Sequence, residues 1–125
     1  MKTSQLVVSA YIENAQGEIL MQFLNKINKW GLPGGRVKCI ESDYIENIKQ
    51  ALIREVKEEV NLDIEIQELI GVGEFDWTDM EYDINLLYRA RIIGGELKNN
   101  EPEKIREIKF MNNKFLPKIF KIFVS

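Results

Sequence analysis

Apolar residues recur along this chain with two different periods. Tyr44, Ile45, Ile48, Ala51, Leu52, Val56 and Val60 fall at helical spacing, which predicts one amphipathic helix with a single buried stripe. Elsewhere the apolar runs are short and β-rich. Leu6–Ile12 and Ile19–Leu24, joined by the turn-like Glu13-Asn14-Ala15-Gln16-Gly17, predict a hairpin. Asn25 to Lys29 is a polar connector. Ile64, Ile66, Leu69, Ile70 and Val72 predict a strand leading to Gly73-Glu74-Phe75-Asp76-Trp77, after which Thr78–Glu81 is a polar loop. Tyr82–Ile93 is the longest strand candidate and stops at Gly94-Gly95. Beyond the charged loop Glu96–Lys104, Ile105–Met111 alternates in strand fashion, and Lys114–Phe123, with Pro117 near its start, reads as a short closing amphipathic helix. Hairpin, helix, several strands, helix is the order of a mixed sheet flanked by helices, an α+β arrangement.

Composition narrows the class. A chain of 125 residues with 45% hydrophobic content can bury one real core, so a single domain over residues 1–125 is expected. Its 17 basic and 20 acidic residues are well mixed, for a net charge of −3, and leave no electrostatic footprint for a nucleic-acid polymer or a membrane. A polyanionic substrate would need a metal ion or a few local cations. With one cysteine, Cys39, there is no internal disulfide framework; a reducing compartment fits, and Cys39 reads as a small loop side chain. The absence of histidine removes Ser-His and Cys-His triads and leaves carboxylates, lysine or tyrosine as general bases. No charged-then-apolar signal segment opens the chain and no apolar run reaches the length of a membrane span, so a soluble cytoplasmic protein is expected.

Candidate chemistry concentrates in Arg54-Glu55-Val56-Lys57-Glu58-Glu59 on the expected helix. At about 100° per residue, Glu55, Glu58 and Glu59 project from one face within roughly one turn. Three like charges so placed repel. Taken alone they read as a solvated acidic face. Their chemical use is to hold a hard divalent cation, since Mg²⁺ and Mn²⁺ take oxygen ligands and Mg²⁺ is held by carboxylates together with substrate phosphates. Just upstream, Leu32-Pro33-Gly34-Gly35 is a turn whose paired glycines permit close backbone approach to a ligand and offer a carbonyl as a further ligand.

Together these parts resemble the signature of the Nudix hydrolase family, which includes the MutT-like nucleotide pyrophosphohydrolases. Gly35, Arg54, Glu55, Val56, Glu58, Glu59, Asn61 and Leu62 match it, with asparagine at 61 where the family has glycine. Asparagine is the next most tolerant residue in the left-handed conformation that ends helices. The family places about five residues between its glycine and first glutamate, and about seven from there to the arginine. Here either Glu41 or Glu46 is the counterpart. Glu46 keeps the second spacing and puts Asn47 and Gln50 at capping-box offsets, whereas Ser42 would cap a longer helix starting near Tyr44.

The resemblance covers nearly the whole chain and implies an α-β-α sandwich. It further implies Mg²⁺, with Mn²⁺ as a substitute, held by Glu55, Glu58, Glu59 and the Gly35 carbonyl. Glu59 or a loop glutamate then takes the proton of water, the loop candidates being Glu101 and Glu103 in Asn99-Asn100-Glu101-Pro102-Glu103-Lys104. Arg54 is expected to fix Glu58 or Glu46 by an ion pair. Substrate contacts are expected from Gly34, Gly35, Trp30, Phe75 and Trp77, although an aromatic beside a glycine turn more often packs over it. The implied reaction is hydrolysis of a diphosphate linkage in a nucleoside di- or triphosphate, giving a monophosphate plus pyrophosphate or phosphate. Two alternatives stand beside it: the same chemistry on ADP-ribose, a nucleotide sugar or a dinucleoside polyphosphate, and a nucleotide-binding sensor domain that does not cut. Homodimers are common in the family.

Overall fold

The computed structural model describes residues 3–37, 39–40, 44–45, 47–76, 81–116 and 120–122. In chain order the strands before the helix are β1 (Thr3–Ile12), β2 (Glu18–Leu24), β3 (Lys29–Gly31), β4 (Gly34–Arg36), β5 (Cys39–Ile40) and β6 (Tyr44–Ile45). The helix α1 spans Ile48–Val60. After it come β7 (Leu62–Asp76), β8 (Glu81–Gly95), β9 (Ile105–Asn112), a single 3-10 turn at Asn113–Phe115 and β10 (Phe120–Ile122). The five-stranded sheet has the order β10-β7-β8-β1-β4, with β1 parallel to β8 and the remaining neighbours antiparallel. A second sheet has the order β3-β2-β9. This is the mixed-sheet α+β sandwich the sequence implies.

Three local expectations are corrected. Leu6–Ile12 and Ile19–Leu24 are joined by a tight turn, with Asn14 Oδ1 accepting from Gln16 and Glu18 N–H and Gly17 at φ 77°. They are not a hairpin. Both edges of β1 are taken by β8 and β4, and both edges of β2 by β3 and β9, so the chain steps from one sheet to the other with only the Glu13↔Ile19 bridge between them. The helix also starts later than its apolar stripe: Tyr44 and Ile45 lie in β6, paired with β5. Asn47 fixes the boundary, because its side-chain oxygen accepts from Lys49 N (2.9 Å) and Gln50 N (3.4 Å), two of the donors that a first helical turn leaves unpaired.

The third correction is at the C-terminus, where no helix over Lys114–Phe123 forms. Phe120–Ile122 instead pairs antiparallel with Gly71–Gly73 and covers the open edge of β7. Of the segment's residues, 117–119 and 123 lie outside the described set. The only α-helix among the described residues is therefore α1.

The helix packs on the five-stranded sheet through Ala51, Leu52, Val56 and Val60, all fully buried. They join Val8, Ala10, Ile12, Leu20, Leu62, Ile64 and Ala90 in one core. Ile19, Met21, Leu32, Ile70 and Leu87 form a second core on the other side. Asn61 ends the helix in the left-handed conformation at φ 63°, its N–H donating to the Lys57 carbonyl. Replacing Asn47 by Ala removes the N-cap and should cost about 1 kcal/mol, seen as a melting temperature lower by roughly 3–5 °C. An unchanged melting temperature would mean that the helix boundary is set by something else.

Candidate active site

Helical geometry divides the acidic residues of α1 into two groups. Ala51, Glu55 and Glu59 follow one another at intervals of four along the edge of the buried stripe, so Glu55 and Glu59 are carried inward by the same packing that buries Ala51. Glu58 stands farther round, its side chain 51% exposed against 17% for Glu55. The inward edge meets β4, where Gly34 and Gly35 pair with Ser9 and Val8. A Cβ on Gly34 would run into the Val8 carbonyl oxygen, and one on Gly35 into the Glu55 carboxylate. At Gly34 the obstacle is backbone, so glycine is required there; at Gly35 a side chain would displace the Glu55 carboxylate.

The carboxylates are held individually. Glu59 Oε1 accepts from the Gly34 backbone N–H at 3.0 Å and faces the Gln22 Nε2 donor at 3.5 Å. Arg54 Nη1 donates to Glu55 Oε1 at 2.9 Å and to both Glu58 oxygens at 3.2 and 3.3 Å, while its Nη2 reaches the Arg36 carbonyl at 3.4 Å. Arg54 thus ties Glu58 as expected and Glu55 as well.

The loop after β8 supplies the facing wall, and the helix end explains why it is there. The last carbonyls of a helix have no partners within it. Here the Lys98 and Asn100 N–H groups donate to the Val60 and Glu59 carbonyls, both at 3.0 Å, and the Asn61 and Asn100 side chains bond Glu96 and Lys57 carbonyls. Asn99 then orders the turn beyond, accepting from Glu101 N at 3.0 Å and donating to Ile105 O at 2.7 Å. This stitching brings Glu101 to the helix face, with Lys104 Nζ 3.6 Å from its carboxylate.

The result is a cleft of about 400 Å³ lined by Gly34, Gly35, Arg36, Arg54, Glu55, Glu58, Glu59, Glu101 and Lys104. Of the residues expected from sequence, Gly34, Gly35, Arg54, Glu55, Glu58, Glu59 and Glu101 meet there. Glu103 is exposed and does not line the cleft. Trp30 packs edge-on against Phe23 at 5.3 Å, under Lys109 and beside the second core, away from the cleft lining. Phe75 is the penultimate residue of β7; its side chain, Glu46 and Trp77 lie outside the described set. Arg36, Lys104 and Gln22 were not singled out from sequence. The first two had a usable signal, one basic residue beside each candidate stretch. Gln22 had none, because nothing in a β-strand sequence says which helix will cross it.

The carboxyls of the cleft are electrostatically perturbed. Burial raises the Glu59 carboxyl from its ordinary 4.5 to about 8, with the Glu55 and Glu101 charges adding to the rise and the Gly34 N–H and Gln22 amide opposing it. Burial also raises Glu55, against the pull of Arg54. Among the described residues no three acidic groups are already drawn into a coordination shell, and Arg54 holds Glu55 and Glu58 by ion pairs. The donor set still fits a hard divalent ion: crowded carboxylate oxygens, raised by desolvation and mutual repulsion, around an open cleft over a glycine backbone.

The sign of the pH dependence follows. Between 4.5 and about 8 the folded chain keeps a proton on Glu59 that the unfolded chain has lost, so metal-free stability falls as pH rises through that window. In the presence of a chelator, Glu59→Gln should flatten the decline in melting temperature from about pH 5 to about pH 8 relative to the unsubstituted chain. Added Mn²⁺ should raise the melting temperature more at the upper end, where the carboxylate is free to bind it. Parallel pH curves for the two proteins would contradict this assignment.

The sequence matches the NUDIX domain over residues 3–121. An ADP-ribose pyrophosphatase of Methanocaldococcus jannaschii is 32% identical over 117 residues, covering 91% of this chain; the chain spans 65% of that relative's length. Among solved structures, a MutT protein from Methanosarcina mazei superposes with a TM-score of 0.78 at 23% identity, over 94% of this chain and 88% of its own. A MutT Nudix hydrolase from Burkholderia pseudomallei gives 0.72 at 25% identity, over 94% and 89%. With the match extending from β1 to β10, this chain belongs to the Nudix family.

Proposed function

We propose that the cleft hydrolyses a phosphoric anhydride linkage in a nucleotide derivative, and that it does so with Mg²⁺ or Mn²⁺ bound. The observation that carries this reading is the convergence of Glu55 and Glu59 from α1, the Gly34-Gly35 backbone and Glu101 from the loop after β8 on one cleft that also holds Arg36 and Lys104. Hydrolysis adds the oxygen of water to one phosphorus, breaks that phosphorus's bond to the bridging oxygen, and sends the electron pair out with the departing phosphate. The obstacle is charge, since the phosphorus attacked and the group leaving are both anionic.

Glu55, Glu58 and Glu59, with the Gly35 carbonyl, would hold the cation. Once bound, it neutralises phosphate oxygens and makes water easier to deprotonate. The chain's own residues do the rest. Gly34 and Gly35 leave room for the phosphates beside the helix. Arg36 and Lys104 supply positive charge from opposite walls. Arg54 orients Glu55 and Glu58 by its ion pairs. Glu101 stands across the cleft from α1 and accepts the proton of the attacking water; Glu59, whose inner oxygen is already bonded to Gly34, is fixed as a ligand.

The preferred substrate class is a nucleoside di- or triphosphate, yielding a monophosphate with phosphate or pyrophosphate. A second reading, ADP-ribose, is favoured by the M. jannaschii relative of that name. Phosphate release measured across nucleoside triphosphates, ADP-ribose, nucleotide sugars and dinucleoside polyphosphates separates the two. Complete persistence of every compound with either metal would leave only the non-cutting sensor.

Glu58→Gln should keep the melting temperature and abolish metal-dependent turnover. Glu101→Gln should lower kcat about 100-fold, whereas Glu103→Gln, exposed and outside the cleft, should stay within about twofold of the unsubstituted enzyme. Equal losses at 101 and 103 would remove the proton-accepting role from Glu101.

A further inference from the structure

Gln22 sits where an apolar residue would be more stable. It lies on β2 on the same strand face as the fully buried Leu20, opposite Ile108 in β9, and is only 2% exposed. Its Oε1 is buried with no hydrogen-bond partner among the described residues. A buried amide with an unmet carbonyl costs stability, and a leucine or methionine of similar size would avoid that cost. Its Nε2 points to a single group, Oε1 of Glu59, at 3.5 Å. That same oxygen receives the Gly34 N–H at 3.0 Å. Two donors from two different strands, one in each sheet, therefore converge on one oxygen of one carboxylate.

We infer that Gln22 is a positioning residue for Glu59: with the Gly34 N–H it anchors Oε1 and so leaves Oε2 as the atom presented to the cleft. A carboxylate on a helix edge rotates about its terminal bonds unless one oxygen is tied. The ties available on α1 itself all go elsewhere, since Arg54 is engaged with Glu55 and Glu58. The Gln22 contact is at the long end for a hydrogen bond. Gln22 touches neither substrate nor water on this account; it acts only through Glu59. The inference rests on the reading of Glu59 as a functional carboxylate.

The test compares Gln22→Met, which keeps the volume and removes the donor, with Glu59→Gln and the double variant. Three quantities are measured: metal-free melting temperature, Mn²⁺ affinity by calorimetry, and kcat and KM for the best substrate of the screen. Gln22→Met should melt no lower than the unsubstituted chain, because it removes the unmet carbonyl. It should nevertheless bind Mn²⁺ and turn over about 10-fold less well, with KM within about twofold. The double variant should be no worse than Glu59→Gln alone. Loss of stability in proportion to activity, or unchanged Mn²⁺ affinity and kcat while Glu59→Gln is inactive, overturns the role of Gln22 and leaves the active-site reading standing. Full activity in Glu59→Gln would instead overturn that reading itself.

Discussion

The closeness of α1 to the glycine pair of β4 governs everything else in the site. The Glu55 carboxylate occupies the space that a side chain at Gly35 would fill, and Gly34, whose missing Cβ faces the backbone of β1, donates its N–H to Glu59. The approach desolvates both carboxylates and crowds them together, which is unfavourable in isolation. It is sustained by the apolar half of the same helix, since Ala51, Leu52, Val56 and Val60 are wholly buried beneath it. Packing energy on one side of the helix thus supports charge concentration on the other.

The helix end extends the same economy. Carbonyls at the C-terminus of α1 need donors, and the loop after β8 supplies them through Lys98 and Asn100. Meeting that need fixes the loop against the helix and brings Glu101 into the same cleft as Glu59. A structural requirement of one element therefore places a carboxylate from another. Arg54, meanwhile, stands among the carboxylates as an internal counter-charge. The negative charge of Glu55 and Glu58 is thereby partly balanced within the chain itself.

Much of this was legible in the sequence because it is local. The spacing of Glu55, Glu58 and Glu59 against Ala51 and Val56 is a property of one helix, and Asn47 and Asn61 are capping residues that act within a few positions of themselves. Gly34-Gly35 announces a backbone feature directly. What the sequence hid is what depends on partners far along the chain. Leu6–Ile12 and Ile19–Leu24 look like a hairpin, and only their distant partners β8 and β9 decide that they join different sheets. Phe120–Ile122 has the spacing of either element, and the unpaired edge of β7 settles it as a strand. Tyr44 and Ile45 continue the helical stripe, yet pair with β5 because the cap at Asn47 comes after them. Glu101 and Glu103 are alike in sequence, and the loop's bonds to the helix end bring only Glu101 of the two into the cleft lining.

The central claim is that the Glu55 and Glu59 carboxylates over the glycine pair are the seat of a divalent ion. Anomalous diffraction from crystals soaked in Mn²⁺ addresses this most directly. The account predicts an anomalous peak in the cleft beside Glu55, Glu59 and the Gly35 carbonyl, with the Arg54 guanidinium moved off Glu58. Peaks confined to surface carboxylates, with Arg54 still bridging Glu55 and Glu58 at saturating Mn²⁺, would contradict it.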